Sequence, residues 1–181
     1  SQVGCNVDCK FCATGIMGFK RNLTCGEIID QIIEISLLRE EPITNIVYMG
    51  MGEPFLNYKE VIKSADMLHS PHGMNLGRNR ITISTSGILP KIKRYIDENR
   101  PYKLAISLNA TDDQTRENII PINKKWNIKM ILDELERYPS DKKNMVMLEY
   151  VLLKDINDSI KDAERLSSYA NRLHCKINVI P

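Results

Sequence analysis

A strand–loop–helix unit recurs along the 181 residues, and this recurrence limits the fold more than any other feature. Runs of strand length occur at Asn45 to Met49, Arg80 to Thr85, Lys103 to Leu108 and Met145 to Leu153, and another starts near Lys176. The stretches between them carry apolar residues at helical spacing. The first helix is expected from about Thr24 to Glu40, with Thr24 and Glu27 as a capping box and Ile28, Ile32, Ile33, Ile35 and Leu37 as its apolar face. Asn57 with Glu60 opens a second, which carries Val61, Ile62, Ala65 and Leu68. Pro90 suits the first turn of a third. Two more are expected at about Ile128 to Tyr138, after a polar loop, and at Ser159 to Leu173. Strands alternating with helices predict an α/β fold with parallel strands and right-handed crossovers, either a barrel or an open doubly wound sheet. In both, chemistry gathers in the loops after the C-terminal ends of the strands. Those loops hold Gly50-Met51-Gly52 and Ser86-Gly87.

The length suits one domain around one core, read here as residues 1–181. No apolar run approaches the length that crosses a bilayer. Ser1-Gln2-Val3-Gly4-Cys5 has neither the basic nor the apolar region of a secretion signal, so the cytoplasm is the expected compartment. A net charge of +2 neither requires nor forbids a nucleic-acid partner. The chain starts almost on a cysteine cluster and ends on a completed strand, Ile177-Asn178-Val179-Ile180-Pro181, as the central part of a longer polypeptide would.

Cys5, Cys9 and Cys12 stand in a CxxxCxxC arrangement, and the total of five cysteines is odd. An odd count without a secretion signal points to metal ligation rather than a disulfide framework. Thiolates are soft ligands that suit iron–sulfur clusters and zinc. Structural zinc wants four protein ligands in a closed tetrahedron. A cubic cluster held by three cysteines keeps one iron open for a small molecule. Zinc completed by Cys25, His69, His72 or His174 is the competing reading; otherwise Cys25 and Cys175 read as small buried residues.

CxxxCxxC with the aromatic Phe11 before the last cysteine resembles the motif of radical S-adenosylmethionine (SAM) enzymes. The wider context is narrower: Ser1 to Cys5, Phe11-Cys12-Ala13-Thr14-Gly15, Gly18-Phe19, Arg21-Asn22-Leu23-Thr24, Met49 to Pro54, Ser84-Thr85-Ser86-Gly87, Pro121 to Lys125 and Ile177 to Pro181 follow in the order found in bacterial RNA adenine-C2 methyltransferases. The ordered set covers essentially the whole chain. The resemblance implies a partial (βα)6 barrel of the TIM-like type, whose first strand lies mostly upstream of Ser1. It implies a [4Fe-4S] cluster on Cys5, Cys9 and Cys12 and S-adenosyl-L-methionine as cofactor. Gly52 and Glu53 would meet the methionine part, and Ser84, Ser107, Leu108 and Asn109 would complete the contacts, with asparagine standing where many relatives carry histidine.

The implied reaction methylates carbon 2 of an adenine in 23S rRNA, with tRNA as a second substrate, and draws on a one-electron reductant protein. A methyl-carrying cysteine and a resolving cysteine take part in relatives. Their positions fall outside this chain, so it is expected to bind cluster and cofactor without methylating RNA by itself. Phe11 is expected to shield the cluster or pack on the adenine, and Glu149 to point into the barrel or lie at its rim. Lys10, Lys20, Arg21, Arg78, Arg80, Lys124, Lys125 and Trp126 are the candidates for RNA contact. A related adenine-C8 methylase of rRNA is the nearest alternative, and a non-catalytic zinc-stabilised RNA-binding module is the rival of another class.

Overall fold

The computed structural model describes residues 1–139 and 145–181. The chain opens with β1 (Gln2–Val3), a short α1 (Ala13–Ile16) and β2 (Arg21–Asn22), and β1 and β2 pair as an antiparallel ribbon. Then follow α2 (Cys25–Leu37), β3 (Ile46–Tyr48), α3 (Tyr58–His69), β4 (Ile81–Thr85), α4 (Leu89–Asp97), β5 (Lys103–Ser107), α5 (Asp113–Ile119), α6 (Ile128–Leu135), β6 (Met147–Val151), α7 (Ile160–Leu173) and β7 (Lys176–Ile180). The five longer-range strands form one parallel sheet in the order β3-β4-β5-β6-β7. A doubly wound sheet reverses direction at a switch point; this order never reverses, so the sheet is an arc of a barrel.

Local sequence explains most element ends. The α2 capping box forms as read, with Thr24 accepting from the Glu27 N–H and the Glu27 carboxylate accepting from the Thr24 N–H. Ser159 and Asp162 form a second box at α7. Pro90 occupies the first turn of α4. Asn57 does not cap α3 through its side chain; its amide instead donates to the carbonyls of Ser1 and Leu23, tying the ribbon to the sheet.

Three expectations need correction. The first helix stops at Leu37, and only Cys25, Ile28 and Ile32 of α2 are buried. Ile33, Ile35 and Leu37 are exposed, because α2 packs on α3 through a narrow i, i+4 stripe and nothing among the described residues covers its other side. The polar loop before α6 contains the helix α5, started by Asp112, whose carboxylate accepts from the Thr115 N–H. Helix α6 is shorter than expected and ends at Leu135.

Ile81, Ile83, Leu104, Ile106 and Leu148 are fully buried along the central strands, as strands covered on both faces require. At the edge, Val47 of β3 is 57% exposed. Among the described residues, no helix is long and apolar enough to cross a membrane.

Candidate active site

The loop of residues 5–12 leaves β1 and returns through α1. Gly4 is required at its start: its φ is +76°, and a Cβ there would lie 1.7 Å from the Gly18 carbonyl oxygen. The Cys5 N–H donates to that same carbonyl at 3.2 Å. Asp8 takes a left-handed φ of 60°, and the Cys12 N–H donates to the Cys9 carbonyl at 3.1 Å, closing the turn. The loop docks on the end of α5, where the Lys10 N–H donates to Ile119 O at 2.9 Å. Val7 sits in a small apolar cluster with Ala110, Ile119 and Ile120, and Phe11, Cys5 and Cys9 pack against it. Phe11 also lines the cavity that this loop closes, together with Cys5, Cys9 and Cys12.

The facing wall comes from the C-terminal ends of the strands and the loops after them. Gly52, Glu53, Ser84, Ser107, Asn109 and Glu149 all line the cavity. Gly52 has φ +89°, and a Cβ there would lie 2.4 Å from Gln2 Cβ, so the ribbon packed behind it demands glycine. Glu53 is buried, and its carboxylate accepts from the Phe55 N–H at 2.9 Å and from both the N–H and the hydroxyl of Ser86 at 2.7 Å. It thereby bolts the loop after β3 to the loop after β4. Ser84 and Ser107 bring their hydroxyl oxygens to 3.4 Å of each other. Asn109 is buried in a left-handed conformation of φ 54°, which asparagine tolerates, and its Oδ1 accepts from the Val151 N–H at 2.9 Å. Its side-chain NH2 is left for the cavity. Leu108 does not line the cavity: its side chain is fully buried in the main core, and its carbonyl accepts from Arg116 Nε at 2.9 Å.

Arg116 and Ser86 are the residues that sequence reasoning missed. Arg116 is fully buried on α5. Its guanidinium donates to the carbonyls of Ser86 (2.7 Å), Ser107 (3.1 Å) and Leu108 (2.9 Å) and to Asn123 Oδ1 (2.9 Å). It fastens the ends of β4 and β5 beneath the cavity. Burial pulls its pKa down to about 10, with Cys9 and Asp113 opposing. The signal for Ser86 was present in Ser84-Thr85-Ser86-Gly87; nothing in sequence alone said that Ser86 would hold Glu53.

Burial pushes the Cys9 thiol up to about 12, aided by Cys5, Cys12 and Glu53, and burial likewise raises Cys5. Burial also raises Glu53, against the hydrogen bonds from Ser86 and Phe55. Cys5 and Cys9, thiols that resist ionisation side by side, want a cationic partner to take their protons' place. Among the described residues, no three His, Cys, Asp or Glu side chains close around a single-ion site. Cys25 lies buried against Met67, with Sγ 3.4 Å from Sδ, and His69 Nδ1 is 2.7 Å from Leu76 O. Neither these groups nor His72 or His174 line the cavity, so the zinc reading lacks its fourth ligand there. A donor set of three soft thiolates spread around one cavity suits a multinuclear cluster.

The RNA candidates divide. Arg78 and Arg80 precede β4 and therefore lie at the opposite end of the sheet from the cavity. Arg21 is held by Glu27 at 2.6 Å, Lys10 by Asp8 at 2.6 Å and Lys124 by Glu117 at 3.4 Å. Lys125 stacks over the Trp126 ring at 4.9 Å, and Lys20 is exposed.

A parallel barrel arc with a three-cysteine loop across its C-terminal mouth defines an α/β-barrel protein with a thiol-lined cavity. The chain belongs to the radical SAM superfamily, whose model matches residues 1–166. It is 46% identical over 183 residues to the dual-specificity RNA methyltransferase RlmN of Nautilia profundicola, covering 99% of this chain and 52% of that protein. It is 44% identical over 183 residues to the protein of the same name from a Nitratiruptor species, covering 99% and 52%. The crystal structure of a radical SAM methyltransferase from Sphaerobacter thermophilus superposes with a TM-score of 0.92 at 43% identity, covering 99% of this chain and 54% of that one. The chain thus spans about half the length of the curated relatives it matches.

Proposed function

We propose that this chain is the cluster- and cofactor-binding core of a radical SAM methyltransferase acting on carbon 2 of an adenine in RNA, 23S rRNA first and tRNA as a further substrate. The observation that carries the proposal is the placement of Cys5, Cys9 and Cys12 on one cavity at the C-terminal mouth of a parallel barrel arc, opposite Glu53, Ser84, Ser107 and Asn109. The three cysteines would hold a [4Fe-4S] cluster. That group, when bound, supplies the single electron with which S-adenosylmethionine is cleaved. The names of the relatives supply the RNA substrate and the methyl transfer.

The side chains of this chain bind and orient. Glu53 spends its carboxylate on its own loops, accepting from the Phe55 N–H, from the N–H and hydroxyl of Ser86 and from the Thr85 side chain. It also lines the cavity, where its charge would suit the ammonium group of a ligand. Ser84 and Ser107 offer hydroxyls that donate or accept, and Asn109 offers its amide N–H groups. Phe11 and Val7 wall the cysteine loop with apolar surface, which keeps water from the reacting centre. All five cysteines are free, as a reducing compartment such as the cytoplasm allows. Mass spectrometry of ribosomal and transfer RNA from a strain lacking the gene tests the proposal. Loss of a methyl group on carbon 2 of an adenine is expected; an unchanged pattern, or loss at carbon 8, would overturn it.

A further inference from the structure

Gln2 is a polar side chain sealed inside the molecule, at 3% exposure, on the short strand that runs directly into Cys5. A buried amide is tolerated when both its ends are hydrogen-bonded. Here the two ends reach different parts of the site. Nε2 donates to Oδ1 of Asn22, the register partner of Gln2 on β2, at 2.7 Å. Oε1 accepts from the Glu53 backbone N–H at 2.8 Å, 51 residues away in sequence. The Gln2 backbone N–H adds a bond to the Met51 carbonyl at 3.3 Å, and the stem of the side chain closes on Gly52.

This is the seam between the two walls of the cavity. One wall is the ribbon with the loop of Cys5, Cys9 and Cys12. The other is the set of strand ends, to which Ser86 and Phe55 fasten the Glu53 carboxylate. Gln2 therefore fixes the Glu53 backbone from the ribbon side, while Ser86 and Phe55 fix its carboxylate from the other. The remaining ties of the ribbon act elsewhere: Asn57 holds the carbonyls of Ser1 and Leu23, and Ser1 holds that of Met51. Among the described residues, Gln2 is the one ribbon side chain bonded to the Glu53 backbone. Packing on Gly52 alone would be served as well by an apolar side chain of the same length, without the cost of burying an amide. The amide adds a fixed register between the thiol loop and the carboxylate. Such register matters, because a misplacement of about 1 Å can cost roughly a hundredfold in rate.

We propose that Gln2 is a positioning residue, whose amide sets Glu53 at a fixed place relative to the thiol loop and so holds the cofactor in register with the cluster. This rests on the reading of the cavity as a cluster and S-adenosylmethionine site.

The test compares the anaerobically reconstituted native protein with Gln2→Met, Gln2→Glu and Asn57→Ala. Gln2→Met keeps the length of the side chain and loses both hydrogen bonds. Gln2→Glu keeps an acceptor for the Glu53 N–H. Asn57→Ala loosens the ribbon without touching that bond. Iron content, melting temperature, hydrogen exchange in residues 49–56, calorimetric affinity for S-adenosylmethionine and the electron paramagnetic resonance spectrum of the reduced cluster with and without it are measured. Gln2→Met is expected to keep about four irons per chain, to exchange faster in residues 49–56, to bind S-adenosylmethionine roughly tenfold more weakly and to show an altered spectral response to it. Gln2→Glu is expected to recover binding, and Asn57→Ala to melt lower with native affinity and spectrum. Should Gln2→Met fold poorly, Asn22→Ala, at an exposed position, frees the same amide from its anchor and carries the same expectation in smaller measure. Native affinity and spectrum in Gln2→Met would overturn the assignment and leave the cofactor reading intact. So would affinities that fall in step with melting temperature in both Gln2→Met and Asn57→Ala, or loss of the cluster from a folded Gln2→Met. Failure of the cluster-loaded native protein to bind S-adenosylmethionine would overturn the cofactor reading, and this inference with it.

Discussion

Arg116 shows how much of this site hangs on single side chains. Among the described residues its guanidinium is the sole side-chain donor to three strand-end carbonyls, and it also holds Asn123. Each buried acceptor left without a donor costs about 1–3 kcal/mol. Arg116→Met is therefore expected to lower stability by at least about 3 kcal/mol in urea denaturation, and Arg116→Lys by less; equal stability of the Met variant and the native protein would contradict the role. Glu53 acts similarly and also faces the cavity. Glu53→Ala is expected to weaken S-adenosylmethionine binding roughly ten- to a hundredfold and to lower the melting temperature while the cluster is retained. A variant that melts lower but binds with native affinity by calorimetry would leave Glu53 with a purely structural role. At this scale the sequence was only partly legible. CxxxCxxC was legible as a unit because it depends on residue type and spacing alone, and its three thiols do meet at one cavity. Arg116 did not, because a buried arginine and a solvated one look alike until the carbonyls it serves are in place. Glu149 was legible only as a charge within an apolar strand; its partner Asn178 arrives with β7.

The helices were legible through their ends. Thr24 with Glu27, Pro90 and Ser159 mark starts in sequence because they satisfy orphan N–H groups or tolerate lacking one. Helix α5 escaped notice because its residues are polar except at its end, so its amphipathic period is faint and tertiary contacts hold it. The junction of α3 and α4 makes a testable ionic cluster. Glu98 accepts from Tyr58 at 2.7 Å, Arg94 at 2.6 Å and Arg100 at 2.7 Å. Burial alone would raise the Glu98 carboxyl, but the bonds from Arg94, Tyr58 and Arg100 outweigh it and hold it at about 2, below the ordinary 4.5. A carboxyl whose pKa falls on folding stabilises fully above its unfolded value and loses that contribution as pH falls through the folded value. The Glu98 contribution is thus complete above pH 4.5 and fades toward pH 2. Glu98→Gln is expected to cost about 1 kcal/mol at pH 7, since part of the cluster is open to solvent, and to converge on the native protein near pH 2. Urea midpoints measured across this range check it; a constant gap between the two proteins would contradict the linkage.

For the whole molecule, alternation of strands and helices announced parallel strands but left barrel and doubly wound sheet equally open. The distinction lies in strand order, which only long-range pairing fixes, and the consecutive order β3 to β7 settles it. That order brings every strand's C-terminal end to one mouth and so gathers residues as distant as Cys5 and Ile180 around one cavity. It also keeps the other two cysteines away from that mouth, since Cys175 precedes β7, at the opposite end of the sheet, and Cys25 is buried in α2. The central claim is that Cys5, Cys9 and Cys12 alone hold a [4Fe-4S] cluster, and iron and sulfide analysis with optical spectra after anaerobic reconstitution of single cysteine-to-alanine variants tests it most directly. The native protein, Cys25→Ala and Cys175→Ala are expected to carry about four irons and four sulfides per chain and a brown chromophore, while Cys5→Ala, Cys9→Ala and Cys12→Ala lose them. A full cluster retained by Cys9→Ala, or stoichiometric zinc without sulfide in the native protein, would contradict it.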